Sequence, residues 1–537
     1  MSKTLTTLAV AGFGFFVAVP AWAQAPSDDR VKALIAQAQQ QVGQPSGAVL
    51  GAEPQGPVVS LTEQEAVARA TERNLALISE RLTPQSWDYT MSATRAFYLP
   101  TLTSNVANRN ANTPNSSALS GGLRTTSQQQ SWSGGFSKNM WRGGGNYNLS
   151  WTNTRTSTSS TNETCNPCFN SGLQGVFTQP ILRNRKIDNN RASIRTNEIS
   201  QQIAELNLSA SEVSVLAQVR NAYWELAYAR QAVDAAQRSL DLASKLVQDN
   251  RSRVEIGTMA PIDVVQAQAE EANRRQQLVT AQATLRNNEL ALKRLIVSGT
   301  DDELWRATLV PADQPTVTAQ PIDLEAAVRN ALGQRTDLTI TKKNLESTDI
   351  QLQSLQNQTM PALDLVGQLD LAGRAGVSVG RRDPITGETV IPPAGGYFDT
   401  LQSLGTFDAP TWNLRLNFSL PLGTSAAKAN FARQRLLRQQ TVASVKTTEL
   451  QIATEVTAAA LAVRNSLESM QASTLSRELS EKRLEAVQSK FEVGMSTNYE
   501  VVQAQRDLND ARNQELRSQL NYQRALVDFQ RVQISPR

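Results

Sequence analysis

The chain has 537 residues and a formal net charge of +4, with 40% hydrophobic but only 5% aromatic residues. This composition favours long helices with narrow apolar seams over a thick globular core. Basic residues are interspersed with acidic ones, so nucleic acid is not an expected partner. The chain contains no histidine, which excludes His-based acid–base catalysis and the usual zinc sites. We therefore expect no enzyme activity, no metal site and no cofactor.

The N-terminus indicates export. Lys3, an apolar segment over Leu8–Val19 and the small-residue site Ala21–Ala23 predict a bacterial signal peptide at residues 1–23. The apolar run is too short to favour the alternative, an uncleaved membrane anchor. Residues 24–60 are rich in Gln, Pro, Gly and Ala and are predicted to form a flexible leader. No later window holds the roughly 18 apolar residues of a transmembrane helix, so strands closed into a barrel would have to make any membrane crossing.

Two related segments organise the rest of the chain. Residues 253–268 and 490–505 both end in VVQAQ, and Gly257 in the first matches Gly494 in the second at a spacing of 237 residues. In each segment a long helical pattern leads to the glycine and a second helical pattern follows it. The pair predicts an internal duplication with two helical hairpins, whose tips lie near the glycines.

The duplication extends along the chain. An amphipathic helix is predicted over 61–82, and its head, Leu61-Thr62, recurs as Ile322-Asp323 at a spacing of 261 residues. The same spacing relates Pro100 to Pro361, each just before a segment of period two. We therefore predict a first repeat over 61–310, a linker over 311–320, a second repeat over 321–533 and a tail over 534–537, with strands at about 99–180 and 361–421.

The predicted strands alternate apolar with polar residues. The clearest segment is TWNLRLNFSLP, whose outward set comprises Trp412, Leu414, Leu416 and Phe418. Such alternation places one face in an apolar medium and the other in water. A soluble sandwich would produce the same pattern, but a signal peptide and strands of about ten residues with outward aromatic side chains favour a membrane barrel.

Pro180 and Pro421 close related F-x-x-P segments and are predicted to mark the change from strand to helix. The first repeat has additional residues at about 130–155 that resemble an extra hairpin, and the sequence leaves open whether it joins the strand wall. Cys165 and Cys168 predict a local disulfide in an exported protein, with a redox or metal site as the alternative.

A heptad runs through the longest predicted helix of each repeat. Apolar residues recur every seventh position over about 190–251, and adding 237 gives the corresponding set in the second repeat, interrupted by one arginine. A sustained heptad indicates coiled-coil packing. The positions are Val219, Leu226, Val233, Leu240, Val247 and Val254, then Val456, Val463, Met470, Arg477, Leu484 and Phe491.

The paired F-x-x-P segments, the strand entries after Pro100 and Pro361 and the paired glycine tips resemble the TolC-like outer-membrane efflux protein family over about residues 61–533. The resemblance implies an α+β membrane protein with a long coiled-coil α-helical periplasmic barrel and transmembrane β-barrel strands, internally duplicated and completed by trimerisation. It implies a homotrimer in the outer membrane of a Gram-negative bacterium, in contact with outer-membrane lipid. Its expected partners are a periplasmic adaptor protein and, through the adaptor, an inner-membrane pump.

The resemblance also implies roles for residues at the tips. Family members carry inward acidic side chains after the second tip glycine, and the matching positions here are Glu500 and Gln503. The second is an amide and departs from the family pattern. An alternative for Glu500 is stabilisation of the first helical turn, the role we expect for Asp263. The positions that resemble adaptor-docking sites are Arg253, Gly257, Lys490 and Gly494; the glycines also serve the turn itself.

The sequence therefore predicts a subunit of an outer-membrane exit duct for a tripartite efflux or secretion system. Two alternatives come from other classes of protein. A secreted structural coiled-coil protein with a soluble β-domain would share the helical and strand patterns. An exported hydrolase has little support, because the sequence offers no histidine and no recognisable paired-carboxylate pocket.

Overall fold

A computed structural model of the chain describes residues 57–115, 122–161, 163–313, 322–379, 381–382, 387, 389–390, 395–423 and 425–533. The predicted signal peptide, the leader up to residue 56 and the C-terminal tail lie outside the described residues. The elements below belong to one compact unit that begins at Val58.

Within the described residues, the first repeat contains strands, three short helices, a 3-10 turn at Ala96–Tyr98 and one long helical hairpin. Its elements are β1 (Val58–Leu61), α1 (Glu63–Arg73), α2 (Leu75–Arg95), β2 (Thr101–Pro114), β3 (Arg124–Asn139), β4 (Asn146–Thr158), β5 (Cys165–Pro180), α3 (Asn189–Glu255), α4 (Pro261–Ile296), α5 (Glu303–Arg306) and β6 (Thr308–Pro311).

The second repeat follows the same order with fewer strands. Its elements are α6 (Leu324–Gln334), α7 (Thr336–Gln358), β7 (Ala362–Ser378), β8 (Arg381–Arg382), β9 (Thr389–Val390), α8 (Tyr397–Gly405), β10 (Pro410–Ser419), α9 (Ala426–Glu492) and α10 (Asn498–Gln533). Both long helices, α3 and α9, contain 67 residues.

Two predictions at the start of the first repeat are wrong. The leader does not extend to residue 60, because Val58–Leu61 pairs in parallel with Thr308–Pro311. The single helix over 61–82 is broken at Asn74, whose side-chain oxygen accepts from the backbone N–H groups of Ala76 and Leu77 and thereby caps α2. The same side chain donates to the Leu295 carbonyl of α4 at 2.9 Å, a tertiary contact that local periodicity does not reveal.

The main sheet is antiparallel, and within the described residues its order is β10-β7-β5-β4-β3-β2. The sequence left the place of the extra hairpin open. In the structure the extra hairpin consists of β3 and β4, which lie between β2 and β5 in the same sheet. Strands from both repeats therefore build one wall, joined where β5 pairs with β7.

The heptad positions form the seam of the helical region. In the second repeat five of the six are buried, and Val456 is fully excluded from solvent. In the first repeat the heptad is less complete: Val219, Leu226 and Val247 are buried, whereas the other three positions are only half-buried (Val233, Leu240 and Val254). The exception, Arg477, lies at the edge of the seam, where its guanidinium forms ion pairs with Glu481 at 3.1 Å and with Glu515 of α10 at 3.0 Å. The length of the side chain lets its charge reach these carboxylates from the edge of the seam.

Among the described residues, no helix is both long and apolar enough to cross a membrane.

The heptad seam predicts a measurable difference between two identical substitutions. Val456→Ala should lower the free energy of unfolding by about 1–3 kcal/mol, because it leaves a cavity in a packed seam. Val493→Ala, at a position 71% exposed, should change it by less than about 0.5 kcal/mol. The measurement is denaturant unfolding followed by helical circular dichroism. Equal effects of the two substitutions would contradict the assignment of Val456 to the seam.

Candidate functional site

Both hairpin tips are built in the same way. After α3, the N–H of Gly257 bonds the Val254 carbonyl at 3.0 Å and the N–H of Thr258 bonds the Arg253 carbonyl at 2.9 Å. After α9, Gly494 bonds Phe491 at 3.2 Å and Met495 bonds Lys490 at 2.8 Å. This pair of bonds is the Schellman motif, which needs a residue in the left-handed region. The φ angles of Gly257 and Gly494 are +77° and +80°, so these glycines are required by the turn.

The tips expose apolar side chains to solvent. Ile256, Val493 and Met495 are each more than 70% exposed. The Lys490 side chain is also exposed. An exposed apolar cluster beside a positive charge at the end of a hairpin is a surface on which a partner can pack.

The structure gives Arg253 a contact within the chain. Its guanidinium lies 4.4 Å from the centre of the Phe491 ring, and it donates to the Phe491 carbonyl at 3.4 Å. Arg253 and Phe491 belong to different hairpins, so this cation–π contact joins the two tips. The equivalent Lys490 is exposed instead, so duplication has left two basic residues with different surroundings.

A small apolar cluster lies directly behind the tips. Leu246 of the first hairpin packs against Phe491, Val501 and Val502 of the second. Beside it, the buried Asn250 donates to the Asn498 side chain at 2.9 Å. The two hairpins therefore meet through a desolvated contact that includes one polar pair, in which Asn250 Oδ1 accepts no hydrogen bond.

The burial of Val501 and Val502 determines where the predicted gate residues lie. At about 100° per residue, Glu500 and Gln503 are some 60° apart and face away from the two valines. Glu500 is exposed, and one of its carboxylate oxygens accepts from Ser496 Oγ at 2.5 Å. Both positions thus lie on one side of α10, turned away from the first hairpin. The bond to Ser496 also supports the first turn of the helix, so the two roles considered for Glu500 are compatible.

Asp507 lies on the same side of α10 as Glu500 and Gln503. Gln503 Nε2 donates to Asp507 Oδ1 at 2.8 Å, and Arg483 pairs with Asp507 Oδ2 at 2.7 Å. Asp507 is seven residues after Glu500, so the two carboxylates share a helix face. The heptad spacing was the signal in the sequence that could have identified it.

A buried ion-pair network joins α4 to α10 further from the tips. The Glu270 carboxylate, 3% exposed, lies 2.5 Å from Arg274 of its own helix and 2.6 Å from Arg506 of the second hairpin. Burial alone would raise the pKa of Glu270, but the hydrogen bonds and charges of Arg506 and Arg274 outweigh it and hold that pKa below its ordinary value. Glu270 and Asp507 occupy equivalent positions in the two repeats, and only the first is buried.

Sequence reasoning about single helices did not find the Glu270–Arg506 pair. Arg506 matches Ala269 in the other repeat, so the duplication itself does not predict a charge there. The pair depends on how the two hairpins are placed, which is a tertiary property.

The main sheet has one apolar and one polar face. Cross-strand partners place Trp412 opposite Leu369 and Phe136 opposite Leu149, whereas Asn413 lies opposite Gln368. All four residues of the predicted outward set are more than 60% exposed to solvent: Trp412 77%, Leu414 64%, Leu416 61% and Phe418 63%. We refer below to the side of the sheet that carries these residues as the apolar face.

The sheet meets the helices near the two predicted prolines. Pro180 is the last residue of β5, and Pro421 follows the end of β10 by two residues. In the first turn of α3, Arg191 donates to the carbonyls of Asn184 and Arg185 in the segment after Pro180, and pairs with Asp188 at 2.9 Å. Asp188 also caps α3, so one buried charge cluster fixes the direction of the helix as it leaves the sheet.

The two cysteines lie at the opposite end of the sheet. Cys165 and Cys168 form a disulfide with their Cα atoms 5.1 Å apart, at the start of β5. In the part of the chain that the structure describes, no group of three or more Cys, Asp or Glu residues is placed to hold a metal ion.

Comparison with known proteins agrees with this architecture. The profile of the outer membrane efflux protein family matches residues 66–297 and 327–532, which include both hairpins and the main sheet. The cobalt-zinc-cadmium resistance protein CzcC of Cupriavidus metallidurans is 30% identical over 104 residues, or 19% of this chain. The match spans a quarter of that relative's length.

Solved structures share the fold at low sequence identity. The outer-membrane channel CmeC of Campylobacter jejuni is 16% identical, with a TM-score of 0.62 over 88% of this chain and 85% of CmeC. The open state of the MtrE outer membrane channel of Neisseria gonorrhoeae is 18% identical, with a TM-score of 0.59 over 88% of this chain and 89% of MtrE.

These matches confirm the predicted α+β architecture, the outer-membrane location and the prediction that the chain is not an enzyme. The secreted structural protein and the hydrolase do not fit them. With a family match that covers most of its length, the chain belongs to the outer membrane efflux protein family.

Proposed function

We propose that three copies of the chain form an outer-membrane channel, the exit duct of a tripartite efflux or secretion system. The apolar face of each sheet contacts outer-membrane lipid, and the helical hairpins extend into the periplasm. A periplasmic adaptor binds the hairpin tips and connects the duct to an inner-membrane pump. The observation that carries this proposal is the six-stranded sheet, which is open at both edges within the described residues.

An open sheet cannot remain in a bilayer. The outer edges of β2 and β10 present backbone N–H and C=O groups that have no strand partner in the described part of the chain. In hydrocarbon each such group costs several kcal/mol, so the edges must pair with other strands. Pairing β2 of one copy with β10 of the next closes a barrel from three identical sheets and removes the edges.

The long helix α9 carries a matching surface. Five leucines on it are each more than half exposed, and at about 100° per residue they fall within about 60° of arc, on the side opposite the seam that contains Val456. An apolar stripe of this length on a soluble helix indicates a protein interface. The five are Leu436, Leu450, Leu461, Leu475 and Leu479.

The tips provide the adaptor surface and the constriction. Exposed Ile256, Val493 and Met495 form the apolar part of the docking surface, and Lys490 its charged part. Arg253 maintains the tip through its contact with Phe491 rather than through direct contact with the adaptor. Three-fold symmetry brings three copies of Glu500 and of Asp507 together, so the entrance favours cations.

Purification and conductance test the proposal as a whole. The protein should require detergent, migrate as a heat-modifiable trimer and form pores in planar bilayers. A water-soluble monomer without pore activity would contradict it.

The leucine stripe predicts an effect on assembly. Leu450→Glu should abolish the trimer, because it places a carboxylate in an apolar contact between chains. Ser444→Glu adds the same group to the same helix, about 110° from the centre of the stripe, and should leave the trimer intact. The measurement is the oligomeric state in detergent by light scattering. Trimers of unchanged stability in the Leu450 variant would place the interface elsewhere.

The constriction predicts an effect on ion selectivity. Glu500→Gln should reduce the preference for cations over anions, and Gln503→Glu should increase it, because selectivity follows the carboxylates around the pore. Reversal potentials under a salt gradient measure both effects. Glu255→Gln removes the same charge at the end of the first hairpin and serves as the control. Unchanged selectivity in the Glu500 variant would leave that residue with its helix-capping role alone.

The buried network predicts an effect on opening. We expect Arg506→Gln to raise single-channel conductance or open probability, because it leaves Glu270 without its contact to the second hairpin. Arg512→Gln breaks an exposed pair with Glu481 inside one hairpin and should have little effect.

Acid should have the same effect as the Arg506 substitution. The pKa of Glu270 is lower in the folded protein than its ordinary value, so its stabilising contribution is complete above that value. The contribution is lost as pH falls through the lowered pKa, and the network should therefore remain intact at neutral pH. Identical conductance of the Arg506 variant and the unmodified channel at neutral pH would contradict a closing role for the pair.

A further inference from the structure

The short helix α8 lies on the apolar face of the main sheet. A Cβ atom at Gly373 of β7 would overlap the Thr400 carbonyl of α8, so the absent side chain permits close packing of helix on strand. The Tyr397 ring meets Trp132 of β3 edge to face, with centroids 5.2 Å apart. Gly373 and Trp132 point to the same side as Leu369 and Phe136, which are four residues away on their strands.

A buried polar cluster fixes α8 to this face. The Tyr397 hydroxyl donates to Asn153 Oδ1 at 3.1 Å, and Ser171 Oγ donates to the same oxygen at 2.6 Å. Trp132 Nε1 donates to the Tyr397 hydroxyl at 3.3 Å. Asn153 is only 1% exposed, and its amide is satisfied by these neighbours. A satisfied network of this kind specifies one position for the helix.

The other side of α8 presents aromatic residues outward. Phe398 is 82% exposed and Phe407, just beyond the helix, is 56% exposed. Phe407 also has a φ of +55°, a conformation that bulky residues rarely adopt. Such strain is retained where the surroundings compensate for it, and often marks a functional position. The Phe398 ring has a tilted contact with Tyr397, with centroids 6.1 Å apart, and most of its surface remains exposed.

The height of α8 on the sheet matches the boundary of the hydrocarbon layer. On β7 the leucines of the apolar face run from Leu363, near the helices, to Leu371, next to α8. Eight residues at about 3.3 Å, on a strand tilted by about 40°, span about 20 Å, close to the apolar band of about 25 Å on outer-membrane barrels. The helix therefore lies where acyl chains meet headgroups.

A neighbouring copy of the chain is not placed to cover α8. The helix contacts Trp132 of β3, Asn153 of β4 and Gly373 of β7, and the same polar cluster includes Ser171 of β5; these are the central strands of the sheet. The strands that would pair with other copies, β2 and β10, form the edges. The surface outside α8 is therefore continuous with the apolar face that contacts lipid.

We propose that α8 is an interfacial anchor, in which Phe398 and Phe407 insert between the upper acyl chains of the outer leaflet. The inference rests on the proposed function, since it requires the apolar face to contact lipid. Amphipathic helices with aromatic residues bind interfaces in this way. Here the sheet holds the helix in place, so the anchor fixes the height of the channel in the membrane.

Site-directed spin labelling tests this placement. The two cysteines of the sequence form a disulfide, so an introduced cysteine is the single free thiol. Nitroxide labels are attached to three variants, Phe398→Cys, Leu414→Cys and Leu123→Cys. Leu414 represents the middle of the apolar face. Leu123, 92% exposed at the outer end of the β2–β3 hairpin, represents an apolar residue in water. Each variant is required to retain the heat-modifiable trimer.

The measurement is the ratio of collision rates with oxygen and with a water-soluble nickel chelate, in vesicles of phosphatidylethanolamine and phosphatidylglycerol. The ratio at 398 should be several-fold above that at 123 and approach that at 414, because oxygen concentrates in hydrocarbon. A ratio at 398 equal to that at 123, with 414 in lipid, overturns the anchor alone. A low ratio at 414 overturns the proposed membrane placement itself.

Discussion

Backbone hydrogen bonding at the sheet edges is the constraint on which the rest of the structure depends. Six strands are too few to close a barrel around a channel, and the described chain leaves β2 and β10 with one unpaired edge each. Lipid does not tolerate such edges. In the proposed trimer, symmetry satisfies the edges, and the stripe of exposed leucines on α9 then becomes an interface between chains rather than an aggregation hazard.

In the helical region, the contacts that stabilise the fold lie apart from the contacts that we expect to change when the channel opens. Along most of its length, apolar heptad residues such as Val456 and Val463 form a seam whose stability does not depend on titratable charges. Near the tips, specific polar and cation–π contacts join the apolar ones between hairpins: Asn250 with Asn498, Arg253 with Phe491, and Glu270 with Arg506. A buried carboxylate such as Glu270 needs a charged partner, so opening of the proposed duct requires that its contact with Arg506 be replaced.

The duplication accounts for both the symmetry and the asymmetry of the two hairpins. The tip turns are the same because the Schellman motif needs a glycine at one position, and both copies retain it. Side chains around the tips have diverged: Glu270 is buried and pairs with Arg506 of the other hairpin, whereas the equivalent Asp507 is partly exposed and pairs with Arg483 of its own hairpin. The first hairpin therefore provides the buried carboxylate of the bridge between hairpins, and the second provides the proposed constriction.

Local sequence patterns were sufficient to predict the long helices, the glycine tips, the alternation of the strands and the heptad core. Each of these patterns is repeated many times along the chain or occurs in both copies. Only the tertiary structure decided the break at Asn74, the β1–β6 pair, the place of the extra hairpin and the Glu270–Arg506 bridge. Each of these joins residues more than 200 positions apart or depends on which strand lies beside which. A single sequence has no periodic signal for such contacts, since their energy arises only after the helices and strands have packed.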